Sequence, residues 1–154
     1  MLAKRLGKLL KDRRFTIAVA ESLTGGLFSK RITDIPGSSD YFLGGIVAYG
    51  YFAKEKILNV PESTLRNRGL VSKETASYLA KNVSLLFNSD IGVGLTGVAG
   101  PLNQEDKPVG LVYIAVFYNG NTSVIEEHFT GNRGKIRAEA VDTAMELIIR
   151  TIGG

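Results

Sequence analysis

The apolar positions of this chain fall into short blocks whose period changes from segment to segment. Leu2, Leu6, Leu9 and Leu10 recur at helical spacing with Lys4, Lys8 and Lys11 between them, which predicts an amphipathic helix over 1–14. Residues 15–20 are nearly continuously apolar, as strands covered on both faces are, and Glu21-Ser22-Leu23-Thr24-Gly25-Gly26 then makes a turn. A helix is expected over 27–35, stopped by Pro36-Gly37, followed by a strand over 45–49, a short helix over 52–58 and another helical turn or two over 61–68. Ser72 reads as the N-cap of a helix over Lys73–Phe87, whose inner face is Ala76, Leu79, Ala80, Val83, Leu86 and Phe87. A glycine-containing strand over 90–96 leads into a long loop over 97–108. Segments 109–118 and 122–130 flank Asn119-Gly120-Asn121, a hairpin signal because Asn-Gly supplies positive φ angles. Ile136, Ala140, Val141, Ala144, Leu147 and Ile148 form the inner face of a last helix. Strands alternating with helices, then a hairpin and a closing helix, imply an α/β fold. The expected architecture is a three-layer sandwich with a mixed β-sheet, built by one domain over 1–154.

Composition narrows the chemistry. The 154 residues include no cysteine and one histidine, His128. Thiol catalysis, thiolate metal sites and iron–sulfur clusters are therefore excluded, and a Ser-His-Asp triad would have to be built on His128, which falls in a hairpin strand. A histidine-rich metal site is impossible as well. The net charge is +4, too mild an excess to predict nucleic-acid binding. No run approaches the roughly 18–20 apolar residues that cross a bilayer, and residues 1–14 lack the apolar core of a secretory signal, so a cytoplasmic protein with no membrane partner is expected.

In open α/β sheets ligands bind beyond the carboxyl ends of strands. Three segments qualify: the turn from Glu21 to Gly26, the stretch from Tyr49 to Lys54, and Thr96-Gly97-Val98-Ala99-Gly100-Pro101. Gly92-Val93-Gly94-Leu95-Thr96-Gly97 formally matches a dinucleotide fingerprint, but its glycines lie inside a strand and a proline-containing loop follows, so close backbone packing explains it better. The last helix begins with Arg133, Lys135 and Arg137 where the helix dipole favours carboxylates; a bound anion or cations bent toward solvent would each resolve that conflict. Without cysteine, nucleophilic chemistry points to serine activated by a desolvated lysine. Lys54 is the candidate base, and Ser22, Ser38 and Ser39 are the loop serines that precede it.

Seven spaced motifs together resemble the C-terminal domain of the CinA family. They are Glu21-Ser22-x-Thr24-Gly25-Gly26, Pro36-Gly37-Ser38-Ser39, Tyr49 with Ala53-Lys54, Gly69-x-Val71-Ser72, Thr96-Gly97-x-Ala99-Gly100-Pro101, Lys107-Pro108-Val109-Gly110 and Gly131-x-Arg133. The resemblance implies a nicotinamide-nucleotide amidase, which hydrolyses the carboxamide of nicotinamide mononucleotide (NMN) to nicotinic acid mononucleotide and ammonia in pyridine nucleotide salvage. It implies Ser39 as nucleophile with Ser22 as the rival, Lys54 as base, Tyr49 as a residue that orients the base or relays its proton, and no metal or organic cofactor. Thr24, Gly25, Thr96, Gly97, Gly100 and Arg133 are implied as substrate-binding residues, and a homo-oligomer is implied as the assembly. The alternative is a catalytically inactive module of the same fold that binds a nucleotide or a protein partner, linked to competence. The chain departs from the family pattern at Gly50-Tyr51-Phe52, where a Ser-Asn pair usually follows the tyrosine. It departs again at Leu102-Asn103-Gln104-Glu105-Asp106, where a glycine pair is usual, and at Asn132, where aspartate is usual.

Overall fold

A computed structural model describes residues 1–153. Helix α1 (Leu2–Arg13) precedes strand β1 (Ile17–Glu21), and helix α2 (Leu27–Thr33) returns the chain to strand β2 (Phe42–Val47). A π-helical turn (Ala53–Ile57) and helix α3 (Glu62–Asn67) lead to α4 (Lys73–Phe87) and β3 (Ile91–Gly97). The hairpin of β4 (Leu111–Tyr118) and β5 (Asn121–His128) and the long α5 (Arg133–Gly153) complete the fold. The five strands lie in the order β2-β1-β3-β4-β5, with β1 parallel to both β2 and β3 and the β3-β4-β5 portion antiparallel. The architecture is α/β with a mixed sheet and helices on both faces. Among the described residues no helix is long and apolar enough to cross a membrane.

The two faces of the sheet are chemically unlike. Ile17, Val19, Val93, Leu95, Val112, Ile114 and Val116 point bulky side chains into the larger core, against α1, α2 and α5. On the other face, Ala18, Ala20 and Ala115 leave space for α4. Helix α4 comes so close that a Cβ on Gly92 would press into the Ala80 carbonyl oxygen, and one on Gly94 would sit 2.5 Å from the Ala76 carbonyl oxygen. Two glycines of the apparent nucleotide fingerprint, Gly92 and Gly94, are thus a packing surface for a helix.

This contact makes a testable demand. Gly92→Ala should destabilise the fold by about 3 kcal/mol, near the upper end of ordinary overpacking, because backbone on both sides must shift. Gly50→Ala is the control, since a Cβ there meets nothing within 4 Å. Urea midpoints of the two variants measure the difference.

The boundaries differ from expectation chiefly at β2, which spans Phe42–Val47 rather than 45–49. Its register is set by β1, with Ile17 opposite Phe42 and Glu21 opposite Val47. Ala48 and Tyr49 therefore lie just past the sheet, where their carbonyls turn to another use.

Candidate active site

The carboxyl ends of the three parallel strands converge on one end of the sheet. β1 ends at Glu21, whose carboxylate is buried and accepts hydrogen bonds from the α2 amides of Phe28 (2.8 Å) and Ser29 (3.0 Å), and from Ser29 Oγ (2.7 Å). A carboxylate at a helix start satisfies donors that have no partner inside the helix. It also ties β1 to α2 on either side of the turn that carries Ser22. From α5, Arg137 donates to the carbonyl oxygens of Leu23 and Thr24, both at 2.9 Å. Gly25 adopts φ +55°, and a Cβ there would lie 3.3 Å from the Arg137 guanidinium. Ser22 is thus presented by a turn fixed from two directions.

Lys54 approaches Ser22 from the neighbouring strand end. Its side chain is 1% exposed, and Nζ donates to Ser22 Oγ at 2.8 Å, to the Ala48 carbonyl at 2.6 Å and to the Tyr49 carbonyl at 3.0 Å. Burial pulls the lysine down to about 8, while the Glu105 carboxylate pulls the other way. The two carbonyls can only accept. When Nζ loses a proton, its two remaining N–H groups stay on them and the lone pair faces Ser22 Oγ, the partner that can donate.

A cleft of about 410 Å³ opens above this pair, within the range of small-molecule sites. Ser22, Tyr49, Thr96, Gly97, Gly100 and Arg133 line it, together with Leu70, Val71 and residues 101–104. Arg133 donates to the Gly100 carbonyl at 2.6 Å and to the Tyr49 hydroxyl at 3.2 Å. Thr96 Oγ1 donates to the Leu70 carbonyl at 2.8 Å, joining two walls. Gly97 is held against β4, where a Cβ would meet the Leu111 carbonyl oxygen at 2.7 Å.

Several sequence expectations change here. Ser39 lies in a 3₁₀ turn (Ser38–Asp40) before β2, exposed, beside an ion pair of Lys11 and Asp40 at 3.2 Å. The Tyr41 carbonyl, two residues on, accepts from the Ile17 amide at the start of β1, so Ser39 and Lys54 lie toward opposite ends of parallel strands that run about 17 Å at ~3.3 Å per residue. The structure brings Ser22, not Ser39, to the lysine. Thr24 is fully buried, and neither it nor Gly25 lines the cleft; the Thr24 carbonyl accepts from Arg137 and Gly25 packs beside that guanidinium instead. The Tyr49 phenol accompanies Arg133, and only its backbone carbonyl touches Lys54. The cations at the start of α5 are accounted for by protein carbonyls on Arg133 and Arg137 and by Glu139, 3.7 Å from Lys135. The sequence marks Glu21 only as part of a motif and Arg137 only as one of three cations, and their clamping roles come from the fold, although Arg133 and Arg137 are one helical turn apart and so share a face.

Comparison with known proteins agrees with this architecture. The family profile described as CinA C-terminal domain matches residues 1–152. A relative in Moorella thermoacetica that carries a competence-damage name is 47% identical over 95% of this chain and 36% of its own length. A CinA-like protein of Koribacter versatilis is 45% identical over 96% of this chain and 36% of its own. The chain therefore spans about a third of the length of the curated relatives it matches. The crystal structure of the competence/damage inducible protein CihA from Agrobacterium tumefaciens superposes with a TM-score of 0.95 at 35% identity, covering 99% of this chain and 94% of that one. A CinA superfamily protein from Klebsiella pneumoniae gives 0.96 at 27% identity, covering 99% and 96%.

Proposed function

The chain belongs to the CinA C-terminal domain family, and from that premise we propose that it is a nicotinamide-nucleotide amidase, hydrolysing the carboxamide of NMN to nicotinic acid mononucleotide and ammonia in pyridine nucleotide salvage. The observation that carries this reading is the buried Lys54 Nζ on Ser22 Oγ at 2.8 Å beneath a cleft bordered by an arginine.

The steps follow from that geometry. Neutral Lys54 takes the Ser22 hydroxyl proton as Oγ attacks the carboxamide carbon, and the tetrahedral oxyanion is met by backbone N–H groups of the glycine-containing turns that follow β1 and β3. One such donor is typically worth ~10²–10³ in rate. The charged Lys54 returns the proton to the departing nitrogen, so ammonia leaves and an ester on Ser22 remains. Water then attacks the ester, with Lys54 taking its proton and passing it back to Ser22 as the nicotinic acid product departs. Lys54 relays both protons, the first from Ser22 to the departing nitrogen and the second from water back to Ser22, and it ends neutral as it began, so no step needs a histidine. Arg133 uses two of its five N–H groups on Gly100 and Tyr49, which leaves others for the nucleotide phosphate.

An ammonia-release assay on purified protein tests this reading. Wild type should liberate ammonia from NMN in proportion to enzyme. Arg133→Ala should raise KM for NMN by about tenfold or more while changing turnover of nicotinamide riboside, which has no phosphate, much less. Equal losses on both substrates would remove Arg133 from phosphate binding. Tight NMN binding with no ammonia would make the protein a nucleotide-binding module instead.

A further inference from the structure

The loop beyond Gly100 contains a feature that the amidase reading does not use. Gln104 and Lys107 pair across a tight turn, with the Gln104 amide 3.3 Å from the Lys107 carbonyl and the reverse bond at 2.8 Å. The two residues between them, Glu105 and Asp106, have φ of +55° and +59°. That conformation is costly for side chains with a Cβ and is the one glycines supply in such turns. Here the chain keeps the geometry without glycine and gains a carboxylate at the tip.

That carboxylate is fully employed. Glu105 Oε2 accepts from the Leu70 amide at 2.9 Å and Oε1 from the Val71 amide at 3.0 Å. Lys107 Nζ lies 3.4 Å from Oε1 and also donates to the carbonyls of Arg68 (3.0 Å) and Val71. Leu70 and Val71 line the cleft, and the Leu70 carbonyl is the acceptor of Thr96 Oγ1. Gly69 has no room for a side chain beneath this buckle, since a Cβ would lie 2.7 Å from Glu105 Oε1 and 2.8 Å from Lys107 Nζ.

We propose that Glu105 is a positioning residue of this cleft: it clamps the Leu70 and Val71 amides from the tip of the 104–107 turn and thereby sets the wall against which a nucleotide substrate is seated. The clamp rests on the amidase reading for its substrate, though its geometry does not. Its charge has a second consequence. Lys54 meets the Ser22 hydroxyl and two neutral carbonyls, and the charge that acts on it is the Glu105 carboxylate. Glu105 itself is faced by Lys107.

Glu105→Gln tests both effects. It preserves side-chain length, but an amide NH₂ then opposes one of the two backbone N–H groups. Hydrogen exchange at Leu70 and Val71 should accelerate about tenfold, and the dissociation constant for NMN should rise about fivefold or more. In turnover, KM should rise more than kcat falls, and the midpoint of the ascending pH limb should move to lower pH because the charge favouring the ammonium is gone. Exchange and NMN affinity unchanged from wild type would overturn the clamp, whether or not the protein turns over. Faster exchange with unchanged affinity and pH midpoint would reduce Glu105 to a fold contact and also overturn the proposal. A wild type that binds NMN but releases no ammonia would sink the amidase reading alone, leaving exchange and affinity to decide the clamp. Glu105→Ala, which has no opposing amide, should reproduce the exchange and affinity changes; failure to do so would overturn it.

Discussion

Ser22→Ala is expected to lower kcat for ammonia release from NMN by at least ~10³-fold while NMN still binds, the pattern of a lost nucleophile. Ser39→Ala should leave kcat and KM within about twofold of wild type, because that hydroxyl stands at the amino end of the sheet beside Lys11 and Asp40. Rapid-quench labelling offers a second readout, since an ester intermediate should map to the peptide containing Ser22. Full activity in Ser22→Ala with loss in Ser39→Ala would reverse the assignment and require a second site remote from Lys54. Calorimetric NMN titration of Ser22→Ala separates loss of chemistry from loss of folding.

The two serines illustrate what a linear reading can and cannot resolve. Ser39 is nearer to Lys54 along the chain than Ser22 is, and it sits in a family motif. But strand β2 runs between Ser39 and Lys54 and carries the chain from one end of the sheet to the other. Ser22 and Lys54 each follow the carboxyl end of one of two adjacent parallel strands, β1 and β2, which is what places them together. Composition points to a lysine base, because removing cysteine and nearly all histidine leaves few alternatives, and the place of Lys54 after a strand end and in a family motif singles it out. The α4 helix is legible too: Ser72 accepts from the Thr75 amide at 3.0 Å, as an N-cap should, and the helix spans Lys73–Phe87. The end of β2 is not legible, since its register comes from β1 and its following carbonyls are recruited by Lys54. Glu105 is hidden for a different reason. A polar loop has no periodicity, and the value of its carboxylate lies in two amides some 34 and 35 residues earlier.

Lys54→Met should abolish turnover as thoroughly as loss of Ser22, and pH experiments distinguish its role as a base from a structural one. Wild-type kcat/KM should rise with pH through about 8 as Nζ loses its proton, because only the neutral amine can accept from Ser22. Any residual rate in Lys54→Met should lack that limb. Stability should follow the same titration with a definite sign. The lysine is lowered in the folded chain from an ordinary value of 10.5 to about 8, so below pH 8 both states carry the proton and the folded state bears the full cost of a buried ammonium. Between 8 and 10.5 the unfolded chain holds a proton that the folded chain has released, and stability rises with pH. The total is about 3 kcal/mol at 1.36 kcal/mol per pKa unit. Other groups titrate alike in both proteins, so the wild-type stability minus that of Lys54→Met, measured by denaturant unfolding at pH 7 and pH 10, isolates this contribution. That difference should move in favour of wild type as pH rises. A flat difference would show that Nζ does not change protonation in this range, and an amine that stays charged cannot take the proton from Ser22.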